Sequence, residues 1–235
     1  TMFHVLEHLP RPVDVLKKLH SVSQSTTNLV VEVPILENSL TNDICGFFGA
    51  HHTTHFSKKS LENCLQMSGW ELKEAFEHPE YNGYRILARP RKAKLDNNIF
   101  PIGDPNDIDL VNEYLENWFE ELSIAEEHLK IVKLNSNIII WGGGMHTEFL
   151  YQNTSFFNEN KNSNFIIVDS DESKHDKTWR GLNIYSPLVL NNLNFKNTAL
   201  VVSSYGGQES IILAAKKIGV PEDRIFKIYD EIRIC

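Results

Sequence analysis

Short apolar runs alternate with amphipathic stretches over the last hundred residues, and this alternation constrains the fold most strongly. The runs "NIIIW", "NFIIV" and "TALVV" are rich in β-branched residues and have the length of a buried strand. The first and third runs lead through glycines into "MHTEFLYQ" and "QESIILAAKKIG", which have helical spacing. Strands that alternate with helices predict a parallel sheet with right-handed crossovers. We therefore predict an α/β domain over residues 135–235.

The first ninety residues show the same alternation with a different ending. "TMFHVL" predicts the end of a buried strand, "RPVDVLKKLHSVS" a helix, "NLVVEVP" a buried strand, and "SKKSLENCLQMSGW" a helix capped by Ser57. "WELKEAFEH" and "YRILARP" predict two strands joined by a turn at Asn82 and Gly83. This order of elements predicts the second half of a doubly wound α/β domain over residues 1–90.

Residues 91–134 are predicted to form a linker and a long helix. The linker is basic and polar in "RPRKAKLDNN" and carries two prolines and a glycine in "FPIGDPND". Apolar residues then recur at threes and fours from Asp107 to about Leu134, which is the pattern of an amphipathic helix. Its aromatic residues Trp118 and Phe119 are expected to belong to a core or to a homodimer interface.

Composition and charge argue against several classes of binding partner. The net charge of −8 argues against a nucleic-acid partner, because phosphate binding needs clustered lysine and arginine. No apolar run approaches the ~20 residues that span a bilayer, and no secretory signal is visible. The three cysteines are odd in number and widely spaced, so they favour neither a disulfide framework nor a zinc ribbon. We therefore expect a cytoplasmic protein with a small-molecule substrate and no membrane partner.

The block "HVLEHL" places chemically active side chains after the first predicted strand. His4, Glu7 and His8 stand at i, i+3 and i+4 and would share one face of a helical turn. Ligands of an open α/β sheet bind at the carboxyl ends of its strands, so this block is well placed to meet a cofactor. Two imidazoles and a carboxylate could also bind a divalent ion, or could bond the backbone of their own turn. The spacing is common in unrelated turns, and we predict no metal from it.

The block "GAHHTTHFS" is a histidine-rich loop between a predicted strand and a predicted helix cap. A histidine among His51, His52 and His55 could act as a general base, because imidazole titrates near neutral pH. Alternatively, these histidines satisfy backbone groups of a polar loop. The spacing leaves both interpretations open.

The block "WGGGMHT" resembles a dinucleotide-binding turn. Gly142, Gly144 and Thr147 follow the GxGxxG pattern with threonine in the third glycine position, and Asp169 ends the next predicted strand. Such glycines let the backbone approach a phosphate at a helix N-terminus. The alternative is a tight turn without a ligand. No lysine follows as in a P-loop, and "SSYGG" is not the GxSxG elbow of hydrolases.

Taken together, these blocks carry a resemblance to a known family. "TMFHVLEHLPRPVDVLKKLHSV", "NLVVEVP" and "HHTTHFSKKSLENCLQMSGWEL" resemble the second half of a class I S-adenosylmethionine-dependent methyltransferase of the sugar C-methyltransferase type. In that type a second Rossmann-like domain follows, which "IIIWGGGMHTEFL", "FIIVDSDESK", "GLNIYSP" and "ALVVSSYGGQESI" resemble in the same order. The resemblance implies an α/β fold with half of a Rossmann-like methyltransferase sheet, a long linking helix and a second Rossmann-like domain.

The resemblance also implies an activity. The cofactor would be S-adenosylmethionine, and the acceptor a sugar or nucleotide-sugar. In this family the glycine-rich cofactor loop and the ribose-binding acid precede the "HVLEH" block, so we expect an N-terminally truncated methyltransferase whose fourth strand contains Thr1. His52 matches an active-site histidine of the family and is the expected base.

Other site residues follow from the same resemblance. His55 is the second choice for the base, and Phe3, His4 and Glu7 would line the cofactor side. The appended domain would cover the site or hold a nucleotide-like part of the substrate through Gly142, Gly144 and Asp169.

Two other functions stay open. The chain could be a non-catalytic nucleotide or sugar-nucleotide binding module whose functional part is the "WGGG" domain. An oxidoreductase that uses this domain with NAD ranks last, because no hydride-transfer site is recognisable.

Overall fold

A computed structural model describes residues 1–49, 51–91, 103–134 and 137–233 of the chain. The chain divides into two compact units. The first holds residues 1–41 and 46–117 with the last three residues, and the second holds residues 42–45 and 118–232. Most of the predicted linker, and Cys235, lie outside the described residues. The boundary between the units falls inside the long helix.

The first unit contains a four-stranded mixed sheet and two helices. Its strands lie in the order β1-β2-β4-β3, with β1 parallel to β2 and β4 antiparallel to both of its neighbours. The predicted order of elements is therefore confirmed. The elements are β1 (Met2–Phe3), α1 (Pro12–Ser21), β2 (Leu29–Val33), α2 (Lys58–Met67), β3 (Trp70–Glu77) and β4 (Tyr84–Pro90).

The helices of this unit begin and pack as their sequences dictate. Pro12 occupies the first turn of α1, where its missing N–H costs nothing. Ser57 caps α2, as the sequence predicted, and it does so in a reciprocal box with Ser60. The two helices share a core with the sheet, in which the Trp70 indole Nε1 donates to the Leu16 carbonyl at 3.0 Å.

The prediction of a buried first strand is wrong in one respect. The strand β1 exists, but Met2 is half-buried and the Phe3 side chain is 44% exposed. The Arg85 guanidinium carbon lies 5.0 Å from the centroid of the Phe3 ring. The Arg85 cation covers this ring on one side, so the apolar letters of "TMF" do not imply burial.

The second unit contains a six-stranded sheet with helices packed against it. The helix α3 (Asp107–Lys130) continues as a 3-10 turn to Leu134, close to the predicted end, and enters this unit at Trp118. The remaining elements are β5 (Asn137–Trp141), α4 (Met145–Asn153), α5 (Phe156–Glu159), β6 (Asn164–Val168), β7 (Thr178–Trp179), β8 (Leu182–Tyr185), β9 (Thr198–Val202), α6 (Gln208–Ile218) and β10 (Ile225–Phe226).

The strand order of this sheet places a crevice beside β5. The order is β10-β9-β5-β6-β8-β7, and the first five strands in this list run parallel, which confirms the predicted parallel sheet. The chain leaves β5 toward β6 on one side and returns to β9 on the other. Such a reversal opens a crevice at the carboxyl ends of the strands, where ligands of α/β sheets bind.

An antiparallel edge was not predicted. The strands β7 and β8 form a hairpin in which Trp179 pairs with Leu182, so the loop has two residues. Both loop residues, Arg180 and Gly181, have positive φ angles of 46° and 83°. Positive φ angles at both loop residues match the right-handed twist of the strands in a two-residue hairpin. The sequence does not signal this turn, because its first loop residue is arginine and not the usual asparagine, aspartate or glycine.

The strand β5 is buried on both faces. Ile138 and Ile140 belong to one apolar cluster, whereas Ile139 and Trp141 belong to the cluster on the opposite face. A strand covered on both faces reads as a continuous apolar run, as "NIIIW" does. Among the helices of the described residues, we find none with the length and apolar character needed to cross a bilayer.

The glycine turn after β5 generates a stability prediction. Gly142 has a φ of 128°, and a Cβ atom there would lie 2.3 Å from the Ser203 carbonyl oxygen. We expect Gly142→Ala to lower the free energy of unfolding by at least about 2 kcal/mol, from backbone strain alone. Gly206→Ala is the matched control, since a Cβ there meets open space. Urea unfolding followed by circular dichroism checks this, and equal midpoints for the two variants would contradict it.

Candidate functional site

The "HVLEH" block forms a tight turn at the carboxyl end of β1. Residues Leu6–His8 make a single 3-10 turn, so the α-helix begins only at Pro12. His4 has a φ of 49°, a left-handed conformation that is uncommon for a residue other than glycine. Its amide donates to the Glu32 carbonyl at 2.9 Å, which holds this conformation against β2.

The His4 ring lies between two buried carboxylates. Its Nδ1 is 3.4 Å from Glu7 Oε1, and its Nε2 is 3.5 Å from Glu32 Oε1. Both carboxylate side chains are 1% exposed, whereas the His4 side chain is 41% exposed. The imidazole therefore covers both acids on their solvent side.

The Glu32 carboxylate is fully partnered. Arg85 donates to its Oε2 from Nε and Nη2, each at 2.8 Å, and the Tyr81 hydroxyl donates to its Oε1 at 2.8 Å. Glu32 and Arg85 face each other across β2 and β4. The sequence analysis missed this group. The available signal was a single acid inside the apolar run "NLVVEVP", because a buried charge requires a partner.

The Glu7 carboxylate is buried without a hydrogen bond. Both of its oxygens are inaccessible to solvent and lack a hydrogen-bond partner among the described residues. Besides His4, its neighbour is His8, whose Nε2 lies 3.8 Å from Glu7 Oε1. A buried polar group in this condition needs a physical explanation, and a bound water or ion is a common one.

The histidine loop is fixed to this turn by backbone hydrogen bonds. The amides of Thr53 and Thr54 donate to the Glu7 carbonyl at 2.9 and 3.0 Å. As a result the His52 ring lies 5.0 Å from the His8 ring, measured between centroids. The structure thus brings together residues from the two blocks that the sequence analysis treated separately.

The hydrogen bonds of His8 and His52 determine where each ring carries its lone pair. His8 Nδ1 lies 2.9 Å from the His51 carbonyl oxygen, and His52 Nδ1 lies 3.3 Å from the Phe47 carbonyl oxygen. A carbonyl only accepts, so each Nδ1 carries the hydrogen and each neutral ring keeps its lone pair on Nε2. Burial, with the neighbouring His51, lowers the pKa of His52 below its usual value.

The other two expected residues of this site, His55 and Phe3, pack against other side chains. The His55 ring packs on Phe48 at 4.3 Å between centroids, and burial lowers the pKa of its imidazole. Its centroid is 6.1 Å from that of His52. Phe3 lies against Arg85. The geometry therefore groups His4, Glu7 and His52, with His8 as an added member, more closely than it groups His55 or Phe3.

The second unit holds a pocket of about 410 Å³ at the carboxyl ends of β5, β6 and β9. The three residues predicted to bind a ligand there, Gly142, Gly144 and Asp169, all line this pocket. Lys174 also lines it, and its Nζ would lie 3.4 Å from a Cβ atom built on Gly144. The sequence analysis did not include this lysine, because it follows β6 rather than the glycine turn.

Asp169 ties the glycine turn to the loop after β6. Its Oδ2 accepts from the Gly143 amide at 2.7 Å and from Lys174 Nζ at 2.9 Å, and its Oδ1 accepts from the Asp171 amide at 2.8 Å. Burial alone would raise the pKa of Asp169, but Lys174 and the two amides outweigh it and hold the pKa below its usual value.

A buried polar network lies behind the turn. The Thr147 hydroxyl donates to the Gly142 carbonyl and contacts Ser203 Oγ at 2.7 Å, which links the turn to the end of β9. The His146 ring bonds Ser203 Oγ at 3.0 Å through Nδ1 and the Tyr229 hydroxyl at 2.7 Å through Nε2. Burial lowers the pKa of His146 to about 4. The sequence analysis included neither His146 nor Tyr229.

Comparison with known proteins concerns this second unit. A family model described as C2185-like, N-terminal, matches residues 134–226, from the end of the long helix to β10. The match covers less than half of the chain and includes the glycine turn. No curated protein matches the chain.

The burial of His146 predicts acid sensitivity. The pKa of His146 is about 4 in the folded protein, against the ordinary value of 6.5 that applies to the unfolded chain. Between these two pH values, only the unfolded chain binds a proton at this residue. Stability from this residue therefore falls as the pH falls through that window, by about 2 kcal/mol between pH 7 and pH 5.

The measurement is the free energy of unfolding in urea at pH 7 and pH 5, for the wild type and for His146→Gln. Glutamine does not titrate, so the variant should lose less stability than the wild type over this interval. An identical loss in both proteins would show that His146 does not titrate in this way.

Proposed function

We propose that residues 1–90 form the acceptor-facing half of a Rossmann-like methyltransferase domain that uses S-adenosylmethionine and modifies a sugar or nucleotide-sugar. One observation carries the proposal. At the carboxyl end of a parallel strand pair, backbone bonds orient His52 so that its basic Nε2 is the free nitrogen. The strand pair β3 and β4 gives further support, because a closing strand pair completes the order of elements predicted for the second half of a doubly wound domain.

Methyl transfer mainly requires a positioned acceptor and one group that accepts a proton. S-adenosylmethionine supplies an electrophilic methyl group on sulfur when it is bound. The chain's own residues would hold an acceptor atom in line with the methyl–sulfur bond, which would break to leave S-adenosylhomocysteine, and His52 Nε2 would take up the acceptor's proton. The Phe47 carbonyl holds the opposite ring nitrogen, so the ring keeps its orientation during this transfer.

The residues on the cofactor side fit an adenosine-containing ligand in part. Phe3 and His4 follow one another at the carboxyl end of β1, with about two fifths of each side chain exposed. Exposed aromatic faces suit stacking against a purine ring. Glu7 remains the acid expected on this side.

A second candidate function belongs to the second unit. Its pocket combines a glycine turn, the N-terminus of α4 and the Lys174 ammonium, and each of these favours a phosphate group. The pocket lies where the strand order reverses beside β5, which supports the Rossmann-like sheet proposed for this unit. This observation supports a nucleotide or sugar-nucleotide binding module as the function of the second unit.

Calorimetric titration with S-adenosylmethionine and S-adenosylhomocysteine tests the methyltransferase proposal. Two proteins are compared: the 235-residue chain, and a longer version that also carries any residues that the gene encodes before Thr1. We expect micromolar binding by the longer version and none by the chain alone, because the family's glycine-rich cofactor loop is expected to precede the "HVLEH" block. Phe3→Ala should weaken binding in the longer version. Phe119→Ala, which alters another exposed phenylalanine, should not.

The outcomes separate the two functions. Absence of binding by the longer, folded version would refute the methyltransferase proposal. Binding of a nucleotide diphosphate or nucleotide-sugar to the 235-residue chain in the same experiment would then favour the binding module.

A further inference from the structure

We propose that Glu7, His8 and His52 bind a divalent first-row transition metal. One ligand atom of each side chain lies within 4.8 Å of the others, so small side-chain shifts bring all three onto one ion. The spacing of the "HVLEH" block alone did not favour a metal. The structure adds His52 from a distant loop, and with it a third ligand.

The Glu7 carboxylate is the strongest reason. Its side chain is 1% exposed, and both oxygens are buried without a hydrogen-bond partner among the described residues. A buried ionised carboxylate is unfavourable unless it is paired or coordinates a metal. Glu32, equally buried in the same unit, shows the ordinary solution, with an arginine and a tyrosine bonded to it. The Glu7 carboxylate instead faces two imidazoles, those of His4 and His8.

The two histidines are prepared as ligands. Each donates its Nδ1 hydrogen to a backbone carbonyl, His8 to that of His51 and His52 to that of Phe47. This is the usual outer-shell arrangement of metal-binding histidines, because it fixes the ring and leaves Nε2 as the donor atom. The His8 Nε2 already lies 3.8 Å from Glu7 Oε1.

The ligand set indicates the kind of metal. Two imidazole nitrogens and one carboxylate oxygen suit Zn²⁺ and its neighbours in the first row, whereas Mg²⁺ and Ca²⁺ prefer oxygen. Three protein ligands leave a coordination position for water or a substrate. The His8 side chain is 39% exposed, so an ion can reach the site from solvent.

His4 serves as a positioning residue. Its Nδ1 faces Glu7 Oε1 and its Nε2 faces Glu32 Oε1, so the ring bridges the metal ligand to the ion pair behind it. Another possible metal-binding group, Asp43, Cys45 and His146, lacks this preparation. Both ring nitrogens of His146 are already bonded to hydroxyl groups.

The inference goes beyond methyl transfer and does not depend on it, since three side chains bind a metal without cofactor or acceptor. A bound metal takes the His52 lone pair that proton transfer would use. The two roles of His52 therefore exclude each other at any moment.

The experiment is a titration of the chelator-treated protein with Co²⁺, followed by visible absorption, and with Zn²⁺, followed by calorimetry. We expect one equivalent of each ion to bind, with Mg²⁺ unable to compete. Glu7→Gln and His52→Gln should each weaken binding by at least about 100-fold, more than the loss of an outer-shell partner. His78→Gln, which removes a histidine of the same unit outside the group, should bind like the wild type.

A second measurement distinguishes a variant that misfolds from one that has only lost a metal-binding side chain. Zn²⁺ should raise the unfolding midpoint of the wild type and leave that of Glu7→Gln unchanged, while the metal-free Glu7→Gln protein unfolds at the wild-type midpoint or above it. Absence of binding by the wild type overturns the proposal. So does equal binding by Glu7→Gln, which would reveal only adventitious contact with surface histidines. Neither result bears on the titration with S-adenosylmethionine.

Discussion

The geometry of the first unit depends on one backbone interaction, the pair of hydrogen bonds from the Thr53 and Thr54 amides to the Glu7 carbonyl. These bonds fasten a loop from one strand end to a tight turn at the neighbouring strand end. Because the loop is fastened there, the His51 carbonyl meets His8, and His52 stands beside the same turn. The proposed base and the proposed metal ligands follow from this attachment rather than from any single motif.

Two buried glutamates of this unit show how the surroundings of a carboxylate decide its use. Glu32 is bonded to Arg85 and Tyr81, and this closed group stabilises the pairing of β2 with β4. Glu7 is bonded to none of the described groups through its side chain, although it is equally inaccessible. A folded protein tolerates a saturated buried charge as part of its structure, whereas an unsaturated one points to a ligand. His4 connects the two, and the hydrogen bond from its amide to the Glu32 carbonyl holds its left-handed backbone conformation.

The sequence predicted the helices and strands well, because hydrophobic periodicity and helix capping are local properties of the chain. The run "NIIIW" and the Ser57 cap each identify their element without reference to the rest of the chain. The sequence could not predict tertiary choices. It could not place His52, rather than His55, beside His8, because that depends on how a loop folds back over the sheet. It also did not reveal the β7–β8 hairpin, since Arg180 occupies a position where glycine or asparagine is usual.

The most direct test of this account is the protonation of the imidazole rings, measured by ¹⁵N NMR of histidine side chains near neutral pH in the metal-free protein. The account predicts that the neutral forms of the His8 and His52 rings carry their hydrogen on Nδ1 and leave Nε2 unprotonated. Assignment follows from the loss of each signal in His8→Gln and His52→Gln. A neutral ring with its hydrogen on Nε2 would contradict the account, because its lone pair would then lie on Nδ1, beside the backbone carbonyl, and not on the nitrogen assigned to proton transfer and metal binding.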